Sequence, residues 1–272
     1  MGIVLALSVL AAAPDGGVLL ARNLKITAKH FFFDNKVSRG QYREDVKAVR
    51  DDGLTLTCDE LESYLVDGRI RRVVARGNVY AIDGDREAWG DEAEFDNENG
   101  VLTVRGKPRG KQGPREVEGE LVTFTTGVDK LVVHKARTRV KEPKDQRVNI
   151  DADLLTLEGP KNEARWTGHV RAVKGKTLLV APELLAHHGA DGEIDRVKAR
   201  GGVEVTEGDR WARGQAGDYD VARGLLVVTG QPQARDKTMQ MRGTKVFFYT
   251  GRDLLEVENV SSVIEIEKKK VP

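Results

Sequence analysis

Small or apolar residues alternate with polar ones along most of the chain. In Val73-Val74-Ala75-Arg76-Gly77-Asn78-Val79-Tyr80-Ala81 the odd positions are small or apolar, and Val197, Ala199, Gly201, Val203 and Val205 repeat the pattern. A period of two rich in β-branched residues predicts half-buried strands. No stretch sustains a helical period. Turn dipeptides such as Asp67-Gly68, Asp83-Gly84, Asn99-Gly100, Lys174-Gly175 and Glu207-Gly208 punctuate the alternation about every 16 residues. Such pairs supply the positive φ of tight hairpins. The expected fold is all-β: a long antiparallel meander of about 16 strands in eight two-strand units.

The units begin near Leu24, Leu54, Arg86, Arg115, Arg147, Lys176, Arg210 and Met239. Within the first strand of each, the alternation slips by one residue and resumes. Examples are Ala88-x-Gly90 then Ala93-x-Phe95, Leu179-x-Ala181 then Leu184-x-Ala186, and Met241-x-Gly243 then Val246-x-Phe248. A slip normally sends the rest of a strand to the other face. A bulge or bend at the slip keeps both parts facing one interior. Small residues before the slip (Ala28, Cys58, Gly90, Gly119, Ala152, Ala181, Gly214, Gly243) suit a crowded corner. Bends at one level in strand after strand predict a trough-like, semi-open β-jellyroll, with a flat, filled sandwich as the alternative.

The chain also repeats itself. Residues 68–108 align without a gap on 192–232, at an offset of 124, with 19 of 41 positions identical. Self-similarity at a fixed offset marks duplicated supersecondary units.

The predicted interior of the first half comprises Ile26, Phe31, Phe33, Leu56, Leu61, Val79, Phe95, Val104, Val122 and Phe124. In the second half it comprises Ile150, Leu155, Leu157, Trp166, Val170, Leu184, Val203, Tyr219, Met241, Val246 and Phe248. Rows of Gly and Ala lie among them. Such an interior either leaves room for an elongated apolar guest such as acyl chains, or lets two walls approach closely. Outward Arg72, Arg76, Arg196 and Arg200 read first as a solvated face with cross-strand ion pairs, and second as rim contacts to phosphates.

Composition removes several functions. Of 272 residues, 44 are Lys or Arg and 43 are Asp or Glu, for a net charge of +1. A nucleic-acid binder would gather a basic excess, so no nucleic-acid partner is expected. One cysteine, Cys58, excludes an intrachain disulfide, and it occupies a slot that holds Gly or Ala in its sister units. No His, Cys and carboxylate set has zinc spacing, and no nucleophile motif or phosphate loop occurs. The chain is therefore expected to be no enzyme, with no metal and no cofactor. Residues 1–13, MGIVLALSVLAAA, end in small residues and read as a secretory signal segment, or else as a buried apolar N-terminus.

Val73-x-Ala75-x-Gly77-x-Val79 and Val197-x-Ala199-x-Gly201-x-Val203, each followed by an acidic-Gly turn and a small-residue pair, resemble the OstA-like domain of the LptA family of periplasmic lipopolysaccharide transport proteins. So do Leu226-Val227-Val228-Thr229-Gly230-Gln231-Pro232 and Met241-Arg242-Gly243. The resemblance covers 24–143 as a diverged first half and 147–267 as the better match. It implies a soluble periplasmic β-jellyroll that shields lipid A acyl chains. Its partners would be lipopolysaccharide, the inner-membrane extractor complex and the outer-membrane translocon, with head-to-tail self-association. Ile26, Ile264 and Ile266 mark the expected assembly edges. The competing function is an envelope scaffold with a filled core and no guest.

Overall fold

The computed structural model describes residues 24–50, 53–141, 147–188, 194–237 and 239–264. The signal segment 1–13, the linker residues 142–146 and Ile266 lie outside them. The described residues fall into two compact units, one of 24–141 and 154–162, the other of 147–153 and 163–264.

The strands in chain order are β1 (Leu24–Thr27), β2 (His30–Asp34), β3 (Arg39–Arg50), β4 (Thr55–Val66), β5 (Arg69–Asp83), β6 (Arg86–Asp96), β7 (Val101–Arg105), β8 (Arg109–Gln112), β9 (Arg115–Glu118), β10 (Leu121–Thr125) and β11 (Lys130–Lys141). They continue as β12 (Arg147–Glu158), β13 (Glu163–Lys174), β14 (Thr177–His188), β15 (Ile194–Glu207), β16 (Arg210–Asp220), β17 (Leu225–Thr229), β18 (Gln233–Asp236), β19 (Met239–Arg242), β20 (Lys245–Tyr249), β21 (Leu254–Glu258) and β22 (Ser261–Ile264). Every pairing resolved within a unit is antiparallel, and the long strands β3 to β6 and β13 to β16 each pair with the next, as a meander requires. Ten strands run unbroken; six crossings are split in two at the bend, as β7 and β8 are where both pair with β6.

The bend lies where the alternation slips. In β6 the buried residues are Ala88 and Gly90, then Ala93 and Phe95, so one face stays inside across the slip. Between β5 and β6 the register shifts at Arg76/Val79, placing Gly77 and Asn78 opposite one residue, Asp91. That two-against-one count is a bulge. Each bulge uses left-handed backbone. Positive φ begins at Glu44, Gly77, Gly106, Lys135, Gly168, Gly201, Gly230 and Asn259. The first four repeat in the last four at the same offset of 124 seen in sequence. The duplication thus extends through both units at the level of backbone conformation.

The small corner residues have a steric cause. A Cβ on Gly90 would lie 2.5 Å from Val104 Cγ1, one on Gly119 2.5 Å from Val133 Cγ1, and one on Gly214 2.6 Å from the Thr229 carbonyl oxygen. The neighbouring strand closes over each corner too tightly for a side chain.

Candidate functional site: the apolar inner face and its edges

Register rows build the inner face of each unit. In the first, one row runs Phe31, Tyr42, Leu61, Ala75, Ala93, Val104, Val122, Val133. The next runs Phe33, Gly40, Ser63, Val73, Phe95, Leu102, Phe124, Leu131. Beyond the bend a third runs Ile26, Ala48, Leu56, Ala81, Ala88, Gly110, Val117. In the second unit the rows are Trp166, Leu184, Ala199, Gly217, Val228, Val246, Val257 and Ala164, Ala186, Val197, Tyr219, Leu226, Phe248, Leu255. Beyond its bend lie Ala172, Leu179, Val205, Ala212, Ala234, Met241 and Ser262. Val79, Ile150, Leu155, Leu157, Val170 and Val203 are buried as well.

Burial along these rows is uneven. Leu61, Val104, Val122 and Phe248 are at most 2% exposed, so mid-row the face is covered by its own side chains, and Trp166, Leu155 and Leu157 are as deeply buried. Phe31 and Phe33, expected as interior residues, are instead 54% and 47% exposed. They keep the inner face by register, but β2 pairs only with β3 among the described residues, so nothing covers their other side. Ile26, Tyr219 and Met241 are half-buried. The Tyr219 hydroxyl lies 3.2 Å from Thr250 Oγ1, which gives its polar tip a partner.

Both unit termini present open strand edges. β1 and β2 pair only with β3; β21 pairs only with β20, and β22 only with β19, among the described residues. Ile26 lies in β1 opposite Ala48, and Ile264 lies in β22 opposite Met239. Phe32 is also exposed, and the Arg43 guanidinium sits 5.8 Å from its ring centroid.

A polar device at the bends escaped the sequence reading. At most bends the residue after the small corner residue packs against the left-handed position of the next crossing. The Asn78 amide donates to Asp59 Oδ2 at 2.9 Å, His169 Nδ1 lies 2.6 Å from Asp153 Oδ2, and the Asn259 amide donates to Thr244 Oγ1 at 3.1 Å. The recurring acids at 59, 91 and 153 were the available signal.

The outer face is ionic. In the first unit Arg76 binds Glu62 at 2.7 Å and Glu92 at 3.0 Å, and Arg72 binds Glu94 at 2.6 Å. Burial opposes ionisation of Glu62, but hydrogen bonds from Arg76 and Tyr64 and the charge of Arg39 outweigh it, holding the carboxyl below its ordinary range. Burial pushes the Cys58 thiol up to about 12, which makes it an inert corner residue rather than a nucleophile. Among the described residues no group of three or more His, Cys, Asp or Glu is placed to hold a metal ion. No helix there is long and apolar enough to cross a membrane.

An uncharacterised protein, R00383, of Rhizobium meliloti (strain 1021) is 28% identical over 111 residues, covering 38% of this chain. The match spans 57% of that relative's length. The crystal structure of LptH, the LptA-homologous periplasmic component of the lipopolysaccharide transport device of Pseudomonas aeruginosa, aligns with a TM-score of 0.40 at 17% identity, over 44% of this chain and 95% of that one. The family model described as LptA/(LptD N-terminal domain) LPS transport protein matches twice, at residues 25–129 and 149–253, one match in each copy of the repeat. These two matches cover more than half of the chain, and the protein belongs to that LptA/LptD N-terminal domain family of lipopolysaccharide transport proteins.

Proposed function

We propose that this chain is an exported periplasmic carrier that shields the acyl chains of lipopolysaccharide on its inner face, as part of a bridge from inner to outer membrane. The observation that carries this reading is the row from Phe31 to Val133. It is apolar apart from the Tyr42 hydroxyl, and it opens at Phe31. Burying one methylene stabilises by about 0.8 kcal/mol, so a lipid with several acyl chains crosses water far more slowly than it slides along an apolar face. The carrier performs no covalent chemistry. Guest entry mid-row requires the walls to part, whereas the half-exposed Phe31 and Phe33 offer a first contact. Residues 24–143 and 147–267 act as the two OstA-like halves, and residues 1–13 as the export signal. The open edges at β1–β2 and β21–β22 template strand addition, by a second copy or by the inner-membrane extractor and the outer-membrane translocon.

The full burial of Trp166, Leu155 and Phe248 favours one alternative, an envelope scaffold whose core is filled. Photocrosslinking in cells separates the two. A benzophenone amino acid at Phe31, Phe95 or Tyr219, but not at outward Arg76, is expected to give lipopolysaccharide adducts. Folded variants with no adduct at any inner position would establish the scaffold.

A further inference from the structure

The two copies differ sharply on one outer face. In the second unit a concavity of about 420 Å³ is lined by Arg196, Lys198, Arg200, Arg223 and Lys245, against two acids, Asp218 and Asp220. Ala199, Ala216, Leu225 and Val227 also line it. The offset of 124 maps those five basic positions onto Arg72, Val74, Arg76, Asn99 and Leu121, and Ala216 and Thr229 onto Glu92 and Arg105. The first copy therefore holds three basic and three acidic side chains there, tied together by Glu92 and Glu94 with Arg72, Arg76 and Arg105. In the second copy Ala216 removes the bridging carboxylate and leaves open the space it filled. Glu62, the register partner of Val74 on this face of the first copy, gives way in the second to Leu185, the register partner of Lys198. Arg196 keeps Asp218 at 2.5 Å, Arg200 lies 3.8 Å from Glu183 and Lys245 3.0 Å from Glu258, so the excess charge rests on Lys198 and Arg223, which have no ion-pair partner among the described residues.

We propose that this concavity is an anion site that takes a phosphate group borne on a saccharide. Arg forks bind phosphate oxygens bidentately, and excess positive charge in a concave site raises the local anion concentration. The half-buried Val227, beside the buried Leu225, gives a sugar ring an apolar patch to lie on. Its volume falls in the range of small-molecule sites. The proposal is independent of the acyl-chain reading, because the site lies on the opposite face of the sheet.

Isothermal titration of the full chain at low ionic strength with inorganic phosphate and with glucose 1-phosphate tests it. Saturable binding is expected, tighter for glucose 1-phosphate, and weakened at least tenfold in Ala216→Glu and in the Lys198→Val/Arg223→Asn double variant. Both variants install first-copy residues, and the double variant decides if Ala216→Glu melts early. Equal or weaker binding of glucose 1-phosphate would overturn the saccharide assignment in favour of bare phosphate. No saturable binding of either probe, or binding unchanged in the variants, would overturn the site itself.

Discussion

Val104 closes over Gly90: its Cγ1 lies 2.5 Å from where a Cβ on that glycine would stand, with the Arg105 carbonyl oxygen at 3.1 Å. The neighbouring strand cannot withdraw without breaking the ladder that joins Ala93 to Val104. Gly90→Ala is expected to cost about 1–3 kcal/mol in urea unfolding, the range for overpacking. Adding Val104→Ala should recover part of that loss, giving a non-additive cycle. Gly127→Ala, with open space around it, should change stability by less than about 0.5 kcal/mol. Equal effects at the two glycines would show that corner crowding does not govern the bend.

Cys58 links a sister corner, in β4, to pH. Its thiol titrates near 9.0 when unfolded and near 12 when folded, because burial disfavours the thiolate. The stabilisation is complete below the unfolded value and is lost as pH rises towards the folded one, at up to about 1.4 kcal/mol per pH unit. Between pH 8 and 10 the wild type should lose more stability than Cys58→Ala, which carries the residue found at sister corners. Parallel losses would refute the linkage. A maleimide should label Cys58 only on unfolding.

The outer network around Glu62 acts in the opposite pH direction. Its carboxyl is held below the ordinary 4.5, so its contribution is present above that value and lost as pH falls through the folded one. Glu62→Gln should cost about 1–2 kcal/mol at pH 7, since Arg39 and Arg76 are partly solvated. It should also flatten the stability profile below pH 4.5. An unchanged acid limb would assign acid sensitivity to other carboxylates.

Edge addition predicts concentration-dependent assembly. Proline at position 264 removes a backbone donor from β22 and is expected to abolish end-to-end oligomers in multi-angle light scattering, leaving a folded monomer. Phe32→Lys, on exposed β2, should weaken assembly from the other end. Oligomers unaffected by both changes would remove the edges from the assembly mechanism.

The strands, the slip in alternation and the small corner residues were legible in the sequence. Each follows from a local property: side chains alternate along an extended backbone, and a bulge resets the phase. The duplication was legible only over 68–108 and 192–232; backbone conformation carries it further, through Glu44 and Gly168 and through Lys135 and Asn259. Tertiary structure alone decided the rest. Phe33 and Phe95 occupy equivalent places in their strands, yet one is half exposed and the other buried, because β2 has a neighbour on one side and β6 on both. Glu92 and Ala216 are one position in two copies, yet the first bridges two arginines and the second opens a basic concavity. Exposure and ion pairing depend on which residues, distant in sequence, the register brings side by side, and local alternation carries no record of that.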